Sequence, residues 1–441
     1  MHPSKKTLAH ALTTAIVTLA SMATTPVFAQ SGSPRIGSLV EGMYPALLAI
    51  YQDIHAHPEL PFQETRTAAK LAAQMRGIGF TVTEKVGGTG VVAIYQNGAG
   101  PTVLVRTELD ALPMEEKTGL PYASKVKTDW NGRETFVAHS CGHDLHMASW
   151  IGTARTLVAL KDQWKGTLMF IGQPAEEAGA GAKAMLADGL FTRFPKPDVA
   201  FALHADPMPH GVVGYRVGAT TSSADSLDIT FKGRGGHGSA PHKSIDPIMM
   251  AARFVTDVQS VVSREKDPSE FGVVTIGSIQ SGSAGNIIPD SAQLRGTIRS
   301  YKPDVREKML DGIQRTAQAS AAMAGAPEPL ISVKDGGSAI VNDEAVVLRT
   351  AAALKAQLVT SRVIEVPPIT ASEDFSEYGK AGVPSMFFFV GVSDPRAVAE
   401  SSKPGGKPVA FNHSPFFAPF PQSIKTGVEA MTSAVLSAMN K

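Results

Sequence analysis

The sequence predicts an α/β protein, in which a large domain built on a mixed β-sheet is interrupted by a smaller inserted domain of ferredoxin-like α+β order. Three observations carry that expectation. Strand-like and helical runs alternate through the first half of the chain, the rhythm changes near Gly218, and α/β character returns in the last third. Alternation of this kind signals a largely parallel or mixed sheet covered by helices.

In the segment Leu39–His57, Leu47, Ile50 and Ile54 recur at helical spacing before Pro58 ends the run. A second helix is expected over Thr65–Gly77. Val91–Tyr95, Thr102–Arg106, Thr167–Ile171 and Val199–Leu203 read as strands, with a helix at Ala148–Leu160 among them. Beyond Gly218, Leu227, Ile229 and Phe231 alternate with Asp228, Thr230 and Lys232, the pattern of a half-buried strand. A helix from about Asp246 to Arg264 follows, then strands at Val273–Ile279 and Ala292–Arg299. The next helix opens at Pro303, where proline suits the first turn, and Val305, Met309, Ile313 and Ala317 repeat at i, i+4. A last strand, Leu330–Val333, completes a β-α-β-β-α-β order. The expected divisions are therefore residues 30–218 and 332–441 for the two parts of the large domain and 219–331 for the insertion.

The N-terminus reads differently. Lys5 and Lys6 precede an apolar stretch, Ala11 to Ala20, and Val27-Phe28-Ala29 offers the small residues of a cleavage site. This is the pattern of an export signal over residues 1–29, and its apolar run is too short and too Thr-rich to span a bilayer. A periplasmic or secreted protein is expected. Cleavage would remove two lysines and no acids, turning the formal charge from +1 to −1. A near-neutral chain has no electrostatic footprint for nucleic acid or an anionic membrane, so the expected partner is a small molecule. Cys141 is the single cysteine. It cannot close an internal disulfide, and a lone thiol in an oxidising compartment needs burial or a ligand.

Its neighbours supply candidates. His139-Ser140-Cys141-Gly142-His143-Asp144-Leu145-His146 gathers three imidazoles, a thiol and a carboxylate where a loop enters a helix. Gln173-Pro174-Ala175-Glu176-Glu177 follows directly on an expected strand. Adjacent buried carboxylates repel, and a metal relieves the conflict by taking one and leaving the other free as a base. His204 ends the run Val199–Leu203, again a strand-end position, and His413 lies far along the chain in Phe411-Asn412-His413-Ser414.

These segments occur in one order with Arg106-Thr107-Glu108-Leu109-Asp110-Ala111-Leu112-Pro113, Gly235-Gly236-His237 and Ser372-Glu373-Asp374-Phe375. Together they resemble the aminoacylase/carboxypeptidase family of metallopeptidases, and most of all its branch of hippurate and indole-acetyl-amino-acid hydrolases. The resemblance runs from His55 to His413. It implies an amidohydrolase for N-acyl amino acids with two divalent metal ions, zinc or manganese, with cobalt a further option. Cys141 would bridge the metals, with His143 and His204 on one and Glu177 and His413 on the other. Glu176 would be the general base, and Asp110 would orient a ligand. His237, in an inserted lid that also dimerises, would reach the scissile carbonyl, often from the partner subunit. Asn286 and Arg299 would hold the substrate carboxylate, and a homodimer or higher oligomer is expected.

The sequence departs from the branch at Glu108, where aspartate is usual, at Ala205-Asp206 after His204, and in the Phe-rich tail Phe416-Phe417-Ala418-Pro419-Phe420. The tail either lines a more aromatic acyl pocket or fills the core, as Phe387 to Phe389 also would. Two other readings stand beside the first: a carboxypeptidase or dipeptidase of the same fold, and a thiol hydrolase using Cys141 with His143 as base.

Overall fold

The computed structural model describes residues 33–439, so the expected export signal lies outside the described residues. Two sheets organise them. The larger has eight strands in the order Thr81–Val86, Gly90–Asn97, Gly166–Gln173, Thr102–Glu108, Val199–Pro209, Ser385–Ser393, Val213–Tyr215, Val363–Glu365. Its four middle members run parallel and so send their C-terminal ends to one edge. Ser385–Ser393 is buried at every position, as a strand covered on both faces must be. The strand's two-residue period divides its aromatics. Phe388 joins Leu47, Trp150 and Phe170 under the helices of one face, while Phe387 and Phe389 join Met169, Phe375 and Tyr378 on the other.

The second sheet, which is fully antiparallel, has the order Gly272–Gln280, Ser291–Ser300, Asp225–Lys232, Leu330–Asp335. Helices Pro247–Ser260 and Pro303–Ala322 cover it over a separate core that includes Leu227, Phe231, Phe254 and Met309. The C-terminal third returns to the first sheet through Val363–Glu365 and Ser385–Ser393.

Three local differences from the sequence reading matter. The helix expected from Ala148 starts at His143, because Gly142 at φ +96° turns the chain into it. An added Cβ at Gly142 would sit 2.9 Å from the Cβ of Ala205, so both positions are held small. The strand Val199–Leu203 runs on to Pro209, so His204 is not at a strand end. What ends there is its neighbour: Thr102–Glu108 pairs with it only as far as Ala202, opening a gap beside His204. The strand Thr81–Val86 and the hairpin Lys127–Trp130 with Arg133–Phe136 also escaped notice, since both are short and largely polar.

The start of the His143–Ala159 helix is anchored from below. His55 is buried with Nδ1 2.6 Å from Asp144 Oδ2 and Nε2 3.0 Å from Glu116 Oε1. Burial alone would lower its pKa, but the two carboxylates outweigh that and raise it to about 10. A histidine in the unfolded chain titrates near 6.5. Because the folded value is the higher one, this stabilisation is complete below about pH 6.5 and disappears as pH rises through 10. Urea titrations should therefore show stability falling between those pH values, with a flatter profile in His55→Gln. His55→Ala, which leaves two buried carboxylates without their cation, should cost about 3–5 kcal/mol at neutral pH. A cost below about 1 kcal/mol would contradict the role of this triad.

Candidate metal centre

Four segments meet at the gap beside His204: the loop through Cys141, the turn after Gly166–Gln173, the strand position His204, and the loop through His413. The side-chain donors of Cys141, His143 and His204 lie within 4.8 Å of one another, and so do those of Cys141, Glu177 and His413. Cys141 thus belongs to both triads. Its Sγ is 3.4 Å from His204 Nε2, and Glu177 Oε1 is 3.4 Å from His413 Nε2.

The hydrogen bonds around these groups leave their donor atoms free for a cation. His143 Nδ1–H donates to the Asp110 carbonyl at 2.8 Å, and His204 Nδ1–H to the Ala205 carbonyl at 2.9 Å. Both Nε2 lone pairs are thereby turned to the cavity. His143 Nε2 and Glu177 Oε1 are buried with no hydrogen-bond partner. An unsatisfied buried polar atom is costly, and a divalent metal pair would satisfy both. The mixed sulfur, nitrogen and oxygen donor set suits a borderline-soft ion. The electrostatics agree. Burial works against charge on His143, yet Asp110, Glu108 and Glu177 outweigh it and raise its pKa to about 10.

Asp110 uses both its backbone and its side chain. Its backbone carbonyl accepts from His143 Nδ1, with carboxylate Oδ1 3.6 Å from the same nitrogen, while carboxylate Oδ2 accepts the Glu177 N–H at 2.9 Å. One residue therefore orients a candidate ligand of each triad. Two others sit on strained backbone: Ala175 has φ +49° and His413 φ +64°, both in the left-handed region. Glu64 fixes the first by accepting the Ala175 N–H at 2.8 Å. Asn412 fixes the second, donating to the carbonyls of Cys141 and Ala205 at 3.0 and 3.1 Å.

Glu176 faces the cavity with 10% of its side chain accessible, 3.7 Å from His143 Nε2. Burial, reinforced by Glu373 and Glu177, pushes its pKa well above the usual carboxylate range. Behind it lies a hub that sequence reasoning missed. Arg106 is fully buried and pairs with Glu108, with Glu373 at 2.6 Å and with Asp374 at 3.1 Å. Glu108 Oε2 in turn accepts from His146 Nδ1 at 2.9 Å, and His146 Nε2 accepts the Ala205 N–H at 2.7 Å. His146 is thus spent on structure. The only available signal for the hub was a basic residue inside an otherwise apolar strand.

A cavity of about 580 Å³ opens over the centre, lined by Cys141, Glu176, Glu177, His204, His413 and Arg299 among others. His237 and Asn286 are not in its lining. They lie together on an exposed two-stranded ladder, Gly236–His237 against Ile287–Ile288, where the Gly238 N–H donates to the Asn286 carbonyl. The cavity's aromatic wall is not built from the Phe-rich tail. It comes from Phe387, Phe389 and Phe411, whereas Phe416 is exposed and Phe417 joins the core. The thiol hydrolase loses its support here. The hydrogen bond of the Cys141 Sγ is to His204 rather than to the proposed base His143, and burial with the charges of Glu177 and Glu176 holds the Cys141 pKa well up, away from a thiolate.

A sulfur–nitrogen–oxygen cradle beside a buried carboxyl, at the C-terminal edge of a parallel sheet, defines a metal-dependent hydrolase. The chain belongs to Peptidase family M20/M25/M40, whose profile matches residues 104–437. It is 37% identical over 331 residues to the hippurate hydrolase of Campylobacter jejuni, covering 74% of this chain and 83% of that one. It is equally 37% identical over 350 residues to thermostable carboxypeptidase 2 of Saccharolobus solfataricus, covering 78% and 85%. Among solved structures it resembles a dinuclear metal-binding peptidase of the M20 family from Bacillus subtilis. That match has a TM-score of 0.75 at 28% identity and covers 90% of this chain and 99% of the other. The chain is a hydrolase of amide bonds, of the metal-dependent amidohydrolase type.

Ligand and base should separate by mutation. Glu177→Gln and Cys141→Ser should lose metal on dialysis, measured by elemental analysis. Glu176→Gln should retain it and lose about 10²–10⁴-fold in turnover. Equal metal contents in the two glutamine variants would contradict this division.

Proposed function

We propose that this protein is a two-metal amidohydrolase that cleaves N-acyl amino acids carrying an apolar or aromatic acyl group into a carboxylic acid and a free amino acid. The observation that carries the reading is one cavity that joins a metal cradle, Glu176 and Arg299. In this reading Cys141, His143 and His204 would hold one ion, and Cys141, Glu177 and His413 the other. Zinc or manganese is the proposed metal, with cobalt a further option. Ions held there would supply Lewis acidity to the amide carbonyl and to a water.

The chain's own groups do the rest. Glu176 takes the proton from the attacking water and gives it to the departing amine. Arg299 is half-buried and makes no ion pair among the described residues, so its guanidinium is free to clamp a substrate carboxylate. Phe387, Phe389 and Phe411 offer an apolar wall to the acyl group, Phe411 with 64% of its surface exposed. His237 and Asn286 are proposed to serve the site of a second copy, making the enzyme a homodimer or higher oligomer. Ile248, Met249, Ile279 and Ile287 are exposed on the same inserted unit, and they offer an apolar face for that contact. An exported enzyme would meet scavenged amides outside the cytoplasm. The second reading, a metallo-exopeptidase of the same fold, draws on the similarity to carboxypeptidases.

Two outcomes test this proposal. Converting the substrate carboxylate to an amide should cost about 1.5–3 kcal/mol in kcat/KM, the usual worth of a hydrogen bond to a charged group, and Arg299→Ala should erase most of the difference. Equal rates on acid and amide by the unmodified enzyme would refute the clamp. For His237, subunits carrying His237→Ala and subunits carrying Glu176→Gln should each be nearly inactive alone. Co-expressed, they should regain activity, because one site of each mixed dimer would hold both residues. No recovery in confirmed mixed dimers would exclude action across the interface.

A further inference from the structure

Beyond the candidate metal donors and Glu176, the cavity holds a charged group that the proposed reaction does not use. Asp206 lies two residues past His204 on the Val199–Pro209 strand, so its side chain leaves the same face of the sheet and joins the cavity lining. It is partly buried, and among the described residues it makes no ion pair. Its one recorded hydrogen bond is local: Oδ1 accepts the Met208 N–H at 3.2 Å. The surrounding wall is aromatic. Gly391 pairs with Asp206 and Phe389 with His204 across the neighbouring strand, and Phe387 and Phe411 line the same space.

The cavity thus contains an anion from the eight-stranded sheet and, in Arg299, a cation from the four-stranded one, neither matched by an opposite charge of the protein. Withdrawing a charge from water without a partner is unfavourable, and a ligand that supplies the partner gains from it. Carboxylate beside aromatic faces is the arrangement that holds an organic ammonium, through charge and through cation–π attraction.

We propose that Asp206 forms a subsite for an ammonium group on the acyl half of the substrate. Resting on the amidohydrolase reading above, this makes the preferred substrates zwitterionic amides, with an amine on the acyl side of the scissile bond and a carboxylate on the other. A neutral acyl chain would still fit the aromatic wall but would leave Asp206 desolvated and unpaired.

The test uses metal-loaded enzyme and a set of N-acyl-phenylalanines in which the acyl group is hexanoyl or carries an amine at carbon 2, 4 or 6. At least one amino-acyl member should exceed the hexanoyl compound tenfold or more in kcat/KM. Asp206→Asn retains an oxygen to accept from Met208 but removes the charge. It should lower the ratio of amino-acyl to hexanoyl kcat/KM by tenfold or more, chiefly through KM, with metal content unchanged. A wild-type ratio at or below one overturns the subsite. So does an equal loss on all substrates, or loss of metal in Asp206→Asn, either of which would make Asp206 part of the turn or of the metal's electrostatic surroundings. Failure of the amidohydrolase reading itself shows differently: the wild type would cleave no member of the set, and both proposals would fall together.

Discussion

The structure around the cavity answers to one constraint, the concentration of negative charge in a place water barely reaches. Glu108, Glu176, Glu177, Glu373, Asp374 and Asp110 gather there with the thiol of Cys141. In a medium of low dielectric such a set cannot all ionise without cations close by. The chain provides one of its own, Arg106, which takes Glu108, Glu373 and Asp374. Of the four that remain, Glu177 and Cys141, with Nε2 of His143 and of His204, are left for cations from outside. Arg106 therefore does more than stabilise its strand. It fixes which carboxylates are already satisfied and, by exclusion, which face the cavity.

The sheet explains how these groups come together. Four parallel strands bring Glu108, Gln173, His204 and the Phe387–Phe389 segment to one edge. Because pairing between Thr102–Glu108 and Val199–Pro209 stops at Ala202, the loop through Cys141 drops into the opening. Gly142 and Ala205 must both be small for that loop to sit so close. The His413 loop is then tied over it, through Asn412 to the carbonyls of Cys141 and Ala205 and through the His413 N–H to Ser140. Residues separated by more than two hundred positions are thus held by hydrogen bonds to backbone carbonyls, which suits donors that need fixed geometry more than mobility.

Much of this was legible in the sequence, and for definite reasons. The inserted β-α-β-β-α-β order shows because its strands are covered on one face and alternate cleanly, as at Leu227, Ile229 and Phe231. The donors at Cys141, His143 and Glu177 stand out because unusual residue types crowd into short segments. His204 and His413 carry only weak local signals, and the resemblance is what joined them to the set. What stayed hidden were relations between distant segments. Nothing near Glu64 announces that it caps the strained turn at Ala175, and nothing in the aspartate at 110 says that its backbone carbonyl, as well as its carboxylate, serves a candidate ligand. The aromatic tail after His413 stayed open between pocket and core because richness in phenylalanine reports burial as readily as it reports a pocket; Phe417 is core, while Phe411, on the other side of His413, reaches the cavity.

The division of labour between the two sheets bears on how such a site acquires specificity. Every candidate metal donor, Glu176 and the Arg106 hub belong to the eight-stranded sheet and its loops, which share contiguous cores. Arg299 and the His237–Asn286 ladder belong to the four-stranded unit, which packs on a core of its own. A change in that second unit can alter which carboxylates are gripped without moving a donor atom, since tightly packed interiors transmit strain but separate cores share little of it. The exposed Phe411 loop offers similar freedom, although it is tied down one residue later at Asn412. Chemistry is thereby fixed where packing is dense, and recognition is assigned to groups whose replacement leaves the donor geometry in place.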